Sequence, residues 1–264
     1  MPLRRPFRWR TDNRTRLGAG RTSGEPGSAN GASSFHLRWL IDGDEPLSEV
    51  SAVLEVVEPP AVDRLYFWAL QVSFDGAGGE AGGAHIGLQW NRSHPGSRAV
   101  NWGGYGAGGR VLSGTTSPLP SQPRDPNTRD YPWQPHRPYL LRVHGAPGAA
   151  GAWRGEVTDL VTGEATVIRD LAGGGEHLAR PLVWSEVFAR CDHPSVTVRW
   201  SRLQAVGPDG TERVPRAVAV SYEPTAAGGC DNTTVQDAGA GALLQITNTP
   251  RLVPAGAVLP LPPR

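Results

Sequence analysis

The chain reads as an all-β protein: an antiparallel β-sandwich of concanavalin-like or jelly-roll type, with disordered tails at both ends. Three observations predict it. Glycine (34) and proline (25) together take about 22% of the 264 residues, against roughly 12% in average proteins, too many helix breakers for a bundle or long crossover helices. Hydrophobic residues still make up 38%, with nine Trp, which is too apolar for a disordered chain and enough for one large core. Apolar side chains also recur at period two in about eleven short segments, separated by turn residues such as Pro208-Asp209-Gly210.

Each segment follows from its own pattern. Phe35, Leu37, Trp39 and Ile41 alternate with His36, Arg38 and Leu40, so one face is strongly apolar. Val50 to Val57 and Leu65 to Phe74 are β-branched and aromatic runs, the second reading as buried on both faces. Ala84, Ile86, Leu88 and Trp90 alternate with His85, Gly87, Gln89 and Asn91, and Tyr139, Leu141 and Val143 with Leu140, Arg142 and His144. Trp153 to Thr158, Ala165 to Leu171, Leu182 to Phe188, Val196 to Trp200, Arg216 to Tyr222 and Ala242 to Thr247 complete the series. The absence of a 30- to 45-residue repeat argues against a propeller or solenoid. The expected organisation is a basic tail over residues 1–33, one sandwich domain over 34–249 and a proline-rich tail over 250–264.

Charge excludes several function classes. The 26 basic and 25 acidic residues leave a net charge of +1, so no global field favours nucleic acid or an anionic membrane. Every basic residue is Arg, which rules out lysine Schiff bases and Walker-type phosphate binding. No run of 18 apolar residues offers a membrane-spanning helix. Arg4-Arg5-Pro6-Phe7 looks like a twin-arginine signal, but the following Thr11 to Gly20 is polar. A cytoplasmic location is therefore expected, or an extracellular one if the start omits an export signal. Cys191 and Cys230 belong to no Cys-x-x-Cys pair, so free thiols are the default expectation and a disulfide would need an oxidising compartment.

Candidate site residues fall in two places. The long segment from Asn101 to Tyr139 carries Trp102, Tyr105, Asp130 and Trp133, aromatic faces beside planar polar groups, as a sugar-binding loop requires. The alternative is that Trp102 and Trp133 pin the loop onto the sandwich. Asp125, Asn127 and Asp130 are weak calcium candidates off EF-hand spacing; no other cofactor or metal is expected. Gly104-x-Gly106-x-x-Gly109 has the form of a dinucleotide fingerprint without the helix that should follow. On the strands, His85 and Gln89 share one face, and Trp184 and Glu186 share another. Glu186 is a weak catalytic candidate: glycoside hydrolysis needs a second carboxyl, which Asp130 or Asp192 could supply. Otherwise Glu186 pairs with Arg199 or Arg142, and His85 and Gln89 line a solvated sheet face.

Gly83-Ala84-His85-Ile86-Gly87-Leu88-Gln89-Trp90-Asn91 resembles the core of a domain family of unknown function, approximately Gly-x-Phe-Gly-Ile-Gln-x-Asn, with Arg98 to Trp102 as its next strand. Val183-Trp184-Ser185-Glu186-Val187-Phe188 is similar to its later part, and Tyr66 to Val206 is similar to uncharacterised proteins typical of actinobacteria. The resemblance implies a β-sandwich associated with carbohydrate and supplies no catalytic residues. Many relatives carry secretion signals. The primary expectation is a non-catalytic, lectin-like module binding a glycan through Trp102, Tyr105, Asp130, Trp133, His85, Gln89, Trp184 and Glu186. The alternatives are a polysaccharide hydrolase or lyase using Glu186 and a protein-interaction domain.

Overall fold

The computed structural model describes residues 20–262 except positions 44, 77, 121–124 and 173–174. Among the described residues the strands are β1 (Ser33–Leu40), β2 (Glu49–Glu58), β3 (Tyr66–Gly76), β4 (Gly79–Trp90), β5 (Arg98–Gly106), β6 (Thr128–Asp130), β7 (Pro138–Gly145), β8 (Ala152–Asp159), β9 (Ala165–Ala172), β10 (His177–Val187), β11 (Thr197–Val206), β12 (Glu212–Arg213), β13 (Ala217–Tyr222), β14 (Thr234–Asp237), β15 (Leu243–Ile246) and β16 (Val258–Pro260). The alternating runs become the long strands, because such a segment buries one face and a sheet offers that face to a shared core. Helical structure among the described residues is confined to three 3-10 turns, Pro95–Ser97, Ala107–Gly109 and Thr225–Ala227.

All pairing is antiparallel, in two sheets. The front sheet runs β16-β13-β1-β10-β3-β4-β5-β6 and the back sheet β14-β15-β11-β2-β7-β8-β9, with β12 added to β11. Strand order departs far from chain order: β1 lies between β13 and β10, so three distant segments become neighbours. The core lies between the sheets, where Phe35, Leu37, Trp68, Leu70, Phe74 and Ile86 of the front meet Leu54, Val56, Leu141, Val143 and Trp200 of the back. A polar bridge is buried among them. Ser185 Oγ and Trp200 Nε1 donate to Gln245 Oε1 at 2.7 and 2.8 Å, and Gln245 Nε2 donates to the Phe35 carbonyl at 3.2 Å. Both ends of that amide are satisfied, so burial costs little and the sheets are tied together.

Three sequence expectations change. Cys191 and Cys230 are joined in a disulfide with Cα atoms 5.5 Å apart, not free; the cross-link is possible because the loops after β10 and β13 converge over the start of β1. Residues 20–32, assigned by composition to the N-terminal tail, form a strap hydrogen-bonded to both loops, while residues 1–19 lie outside the described residues. The proline-rich C-terminal segment supplies β16, the edge strand on β13, and Leu261 packs against the core. Proline is tolerated there because an edge strand has one unpaired side.

Candidate functional site

Strand register decides which side chains share the outer face of the front sheet, since alternate residues point to opposite faces. Pairing β1–β10–β3–β4–β5 lays three rows across it. The middle row reads His36, Trp184, Ala69, Gly87 and Asn101. One flank reads Ser34, Glu186, Phe67, Gln89 and Ala99; the other reads Arg38, Leu182, Gln71, His85 and Gly103. Of the residues expected from sequence, His85, Gln89, Trp184 and Glu186 are thus brought onto one surface. Gly87 keeps this surface close-knit: a Cβ there would lie 2.0 Å from the Trp68 carbonyl oxygen.

That surface is not the solvated sheet face expected for His85 and Gln89. Phe67, Ala69, Leu182 and Trp184 form a buried apolar cluster separate from the core. Phe67 and His85 pack edge-on to Trp184, with centroids 4.8 and 5.6 Å away, and His36 lies 6.3 Å from it. Burial pushes both imidazoles down to about 4, with Arg38 adding to the effect on His36. Both rings are therefore neutral at physiological pH and able to donate and accept hydrogen bonds. Gln89 is 5% exposed and accepts from Asn91 Nδ2 at 3.0 Å. Two buried polar atoms of this surface, Trp184 Nε1 and Asn101 Oδ1, have no hydrogen-bond partner.

The residue that sequence reasoning missed is Glu223. It follows β13 and continues its register, donating its backbone N–H to the Ser34 carbonyl at 2.8 Å. The flanking row therefore begins Glu223, Ser34, Glu186. Glu186 Oε1 accepts from Asn30 Nδ2 at 2.6 Å and from Ser34 Oγ at 3.5 Å. Glu223 is raised to about 6, first by burial and then by the Glu186 carboxylate, and its buried Oε2 lacks a hydrogen-bond partner. Two strand spacings of about 4.8 Å separate the two backbones, with Ser34 between them. The partners proposed from sequence are engaged elsewhere. Arg199 pairs with Glu55, Arg142 with Glu49 and Glu156, Asp192 with Arg190, and Asp130 with His94 at 2.6 Å.

The loop half of the expected glycan site does not survive. Trp102 and Trp133 are 0% and 1% exposed, so neither presents a face to a ligand. Trp102 sits on the inner side of β5 against Gly155, where a Cβ would lie 2.6 Å from the indole. Trp133 donates Nε1 to the Gln89 carbonyl at 3.0 Å and packs edge-on against Trp68. The two indoles pin the loop, the alternative left open above. Tyr105 is 51% exposed at the end of β5. The calcium candidates are spread apart in their bonding: Asp125 accepts the N–H groups of Asn127 and Thr128, Asn127 Oδ1 accepts from Arg169, and Asp130 holds His94. Among the described residues no group of three or more His, Cys, Asp or Glu stands close enough to hold a metal ion.

No protein-family model and no curated protein matches the chain. Among solved structures, it is similar to Scytalido-glutamic peptidase with a peptide-based transition-state analog, at 11% identity and TM-score 0.44, covering 81% of this chain and 97% of that one. It is also similar to SCP-B, a member of the Eqolisin family of peptidases in complex with the tripeptide Ala-Ile-His, at 10% identity and TM-score 0.43 with the same coverage. Likeness at this level carries no chemistry over to this chain.

Proposed function

We propose that this protein is a hydrolase whose acid and base are Glu223 and Glu186, acting on a polysaccharide laid across the outer face of the front sheet. The observation that carries the reading is the carboxyl pair flanking Ser34, with Glu223 raised to about 6 beside a second carboxylate. In that pairing Glu223 keeps a proton to give to a leaving oxygen, while Glu186, supported by Asn30, draws a proton from water. A backbone separation of two strands suits the wider carboxyl spacing of inverting hydrolysis, roughly 6.5–9.5 Å. The neutral groups along the rows favour an uncharged polyhydroxylated substrate. His36 and His85, partly exposed on the outer face, offer hydrogen bonds without charge.

The test is incubation of the full chain with a panel of neutral polysaccharides, reading new reducing ends and unsaturated products. Hydrolysis lost by roughly 10²-fold or more in both Glu186→Gln and Glu223→Gln is the expected result. The rate should fall above pH 6 as Glu223 loses its proton. Saturable binding without products would return the protein to the lectin-like class. Cleavage of a casein control instead of any glycan would keep the acid–base pair and overturn the substrate.

A further inference from the structure

The two acidic residues sit a few positions upstream of the two cysteines. Glu186 precedes Cys191 on the loop leaving β10, and Glu223 precedes Cys230 on the loop leaving β13. Between those loops runs the strap of residues 20–32, fastened to both. The Gly24 carbonyl accepts the Cys191 N–H at 2.8 Å, the Gly27 N–H donates to the Gly228 carbonyl at 2.9 Å, and the Asp231 N–H donates to the Arg21 carbonyl at 2.7 Å. Ser33 Oγ, where the strap enters β1, accepts the Cys230 N–H at 2.9 Å. The strap carries Asn30, whose amide oxygen accepts from Ser28 Oγ and the Ala32 N–H, which orients its Nδ2 toward Glu186. On the other side Gly229 packs directly on Glu223: a Cβ there would lie 2.1 Å from the Glu223 carbonyl oxygen.

We infer that the Cys191–Cys230 disulfide, acting through this strap, is the positioning device of the Glu186–Glu223 pair, so that a dithiol reductant disables the site while leaving the sandwich folded. The inference rests on the pair being the acid and base. In the reduction the S–S bond breaks, two electrons and two protons pass from the dithiol, two cysteine thiols form and the reductant becomes a disulfide. Without the cross-link the loops keep the backbone bonds named above and Asn232, whose Nδ2 donates to the Thr22 carbonyl at 3.4 Å and to the Cys191 carbonyl at 2.6 Å, but no covalent tie. Asn30 is then free to leave Glu186, and Glu223 to gain water. The other charged or titratable groups on the elements packed around the pair are His36 and Arg38 of β1, Tyr222 of β13, Arg21 and Glu25 of the strap (Glu25 paired with Arg64), His193 of the loop leaving β10, and two ion pairs, Arg190–Asp192 and Arg251–Asp231. None of them is a disulfide partner, so reduction leaves their charges unchanged.

The test compares the oxidised full chain with the same chain in excess dithiothreitol, thiols counted, and with Cys191→Ser/Cys230→Ser. The readouts are carboxyl titration of Glu223 by carbon NMR and amide exchange at Gly27, Cys191 and Asp231. Reduction should move the Glu223 titration from about 6 toward 4.5 and raise exchange at those amides at least tenfold, with the strand signal in circular dichroism retained. If the double variant does not fold, Asn30→Ala in the oxidised protein replaces it, with hydrolysis lowered while exchange at Gly27, Cys191 and Asp231 stays slow. Unchanged titration and exchange after verified reduction overturn the inference. So does global unfolding on reduction, which would make the bond a staple of the fold. Hydrolysis equal in both redox states overturns the clamp and spares the catalytic reading; a pair that responds to reduction in a protein that hydrolyses nothing does the reverse.

Discussion

Replacing Glu223 by glutamine should make the protein more stable, and only where the native carboxyl would be ionised. An unperturbed glutamate titrates at 4.5, whereas Glu223 is held at about 6. The folded state thus binds this proton more tightly than the unfolded chain, so stability falls as pH rises through the window between those values. At 1.36 kcal/mol per pH unit the gap is about 2 kcal/mol. The carboxyl is only half-buried, so solvent screening brings this down to about 1–2 kcal/mol. For a domain of this size that is a rise of roughly 2–6 °C in Tm. Thermal unfolding of wild type and Glu223→Gln from pH 4 to pH 8 reads it directly. The two curves should coincide below pH 4.5 and separate fully above pH 6, with hydrolysis lost at every pH. An equal Tm difference at pH 4 and pH 8 would mean that the substitution acts through packing, and the electrostatic account of the pair would fail.

Other outcomes follow from the same fold. Reducing or mutating the disulfide, which spans 39 residues, should lower unfolding stability by roughly 4 kcal/mol on the loop-entropy account, seen as a lower urea midpoint with a steeper slope from the more open denatured chain. Trp102→Ala should cost about 3–5 kcal/mol by emptying a fully buried indole site, and should leave any glycan affinity of the refolded protein intact; loss of affinity at unchanged stability would restore the loop as a binding surface. His36 and His85 are depressed from 6.5 to about 4, so the unfolded chain takes up protons there that the folded one refuses. Stability should therefore fall as pH drops from 6.5 toward 4, by at most about 3 kcal/mol for each ring. His85→Gln should flatten that acid limb in a Tm-versus-pH series.

The long strands were legible because each carries several turns of alternation. Phe35, Leu37 and Trp39 predict β1 and its inner face without any tertiary information. The short edge strands β6, β12, β14 and β16 were not, because two to four residues hold no period and their pairing is decided by a neighbour already in place. The loop was misread for a physical reason as well. Composition groups Trp102 with the aromatic loop, whereas Val100 and Trp102 alternate with Ala99, Asn101 and Gly103 and so mark an inner face. Four of the eight expected ligand residues do share one surface, because alternation placed each correctly on its own strand. Glu223 escaped because it lies one residue past a strand, and its partner is reached only across β1.

Sheet order, not local sequence, makes the carboxyl pair. A carboxyl is raised by lost water and by a like charge, and is lowered by any guanidinium within reach. In the row Glu223, Ser34, Glu186 the residue between the two acids is a serine, and the nearest cation on β1, Arg38, lies two rows away, across His36. Chain order would never have joined these segments: β13 follows β10 through the whole of β11 and β12. Only the insertion of β1 between them sets two acids on one row. In this arginine-rich chain the carboxylates of Glu49, Glu55, Asp75, Asp159 and Asp170 are each paired with a guanidinium, whereas Glu223 lies beside a second carboxylate. Glu223, raised to about 6 by burial and by the carboxylate beside it, costs stability once ionised, and a fold keeps such a cost where the charge has work to do.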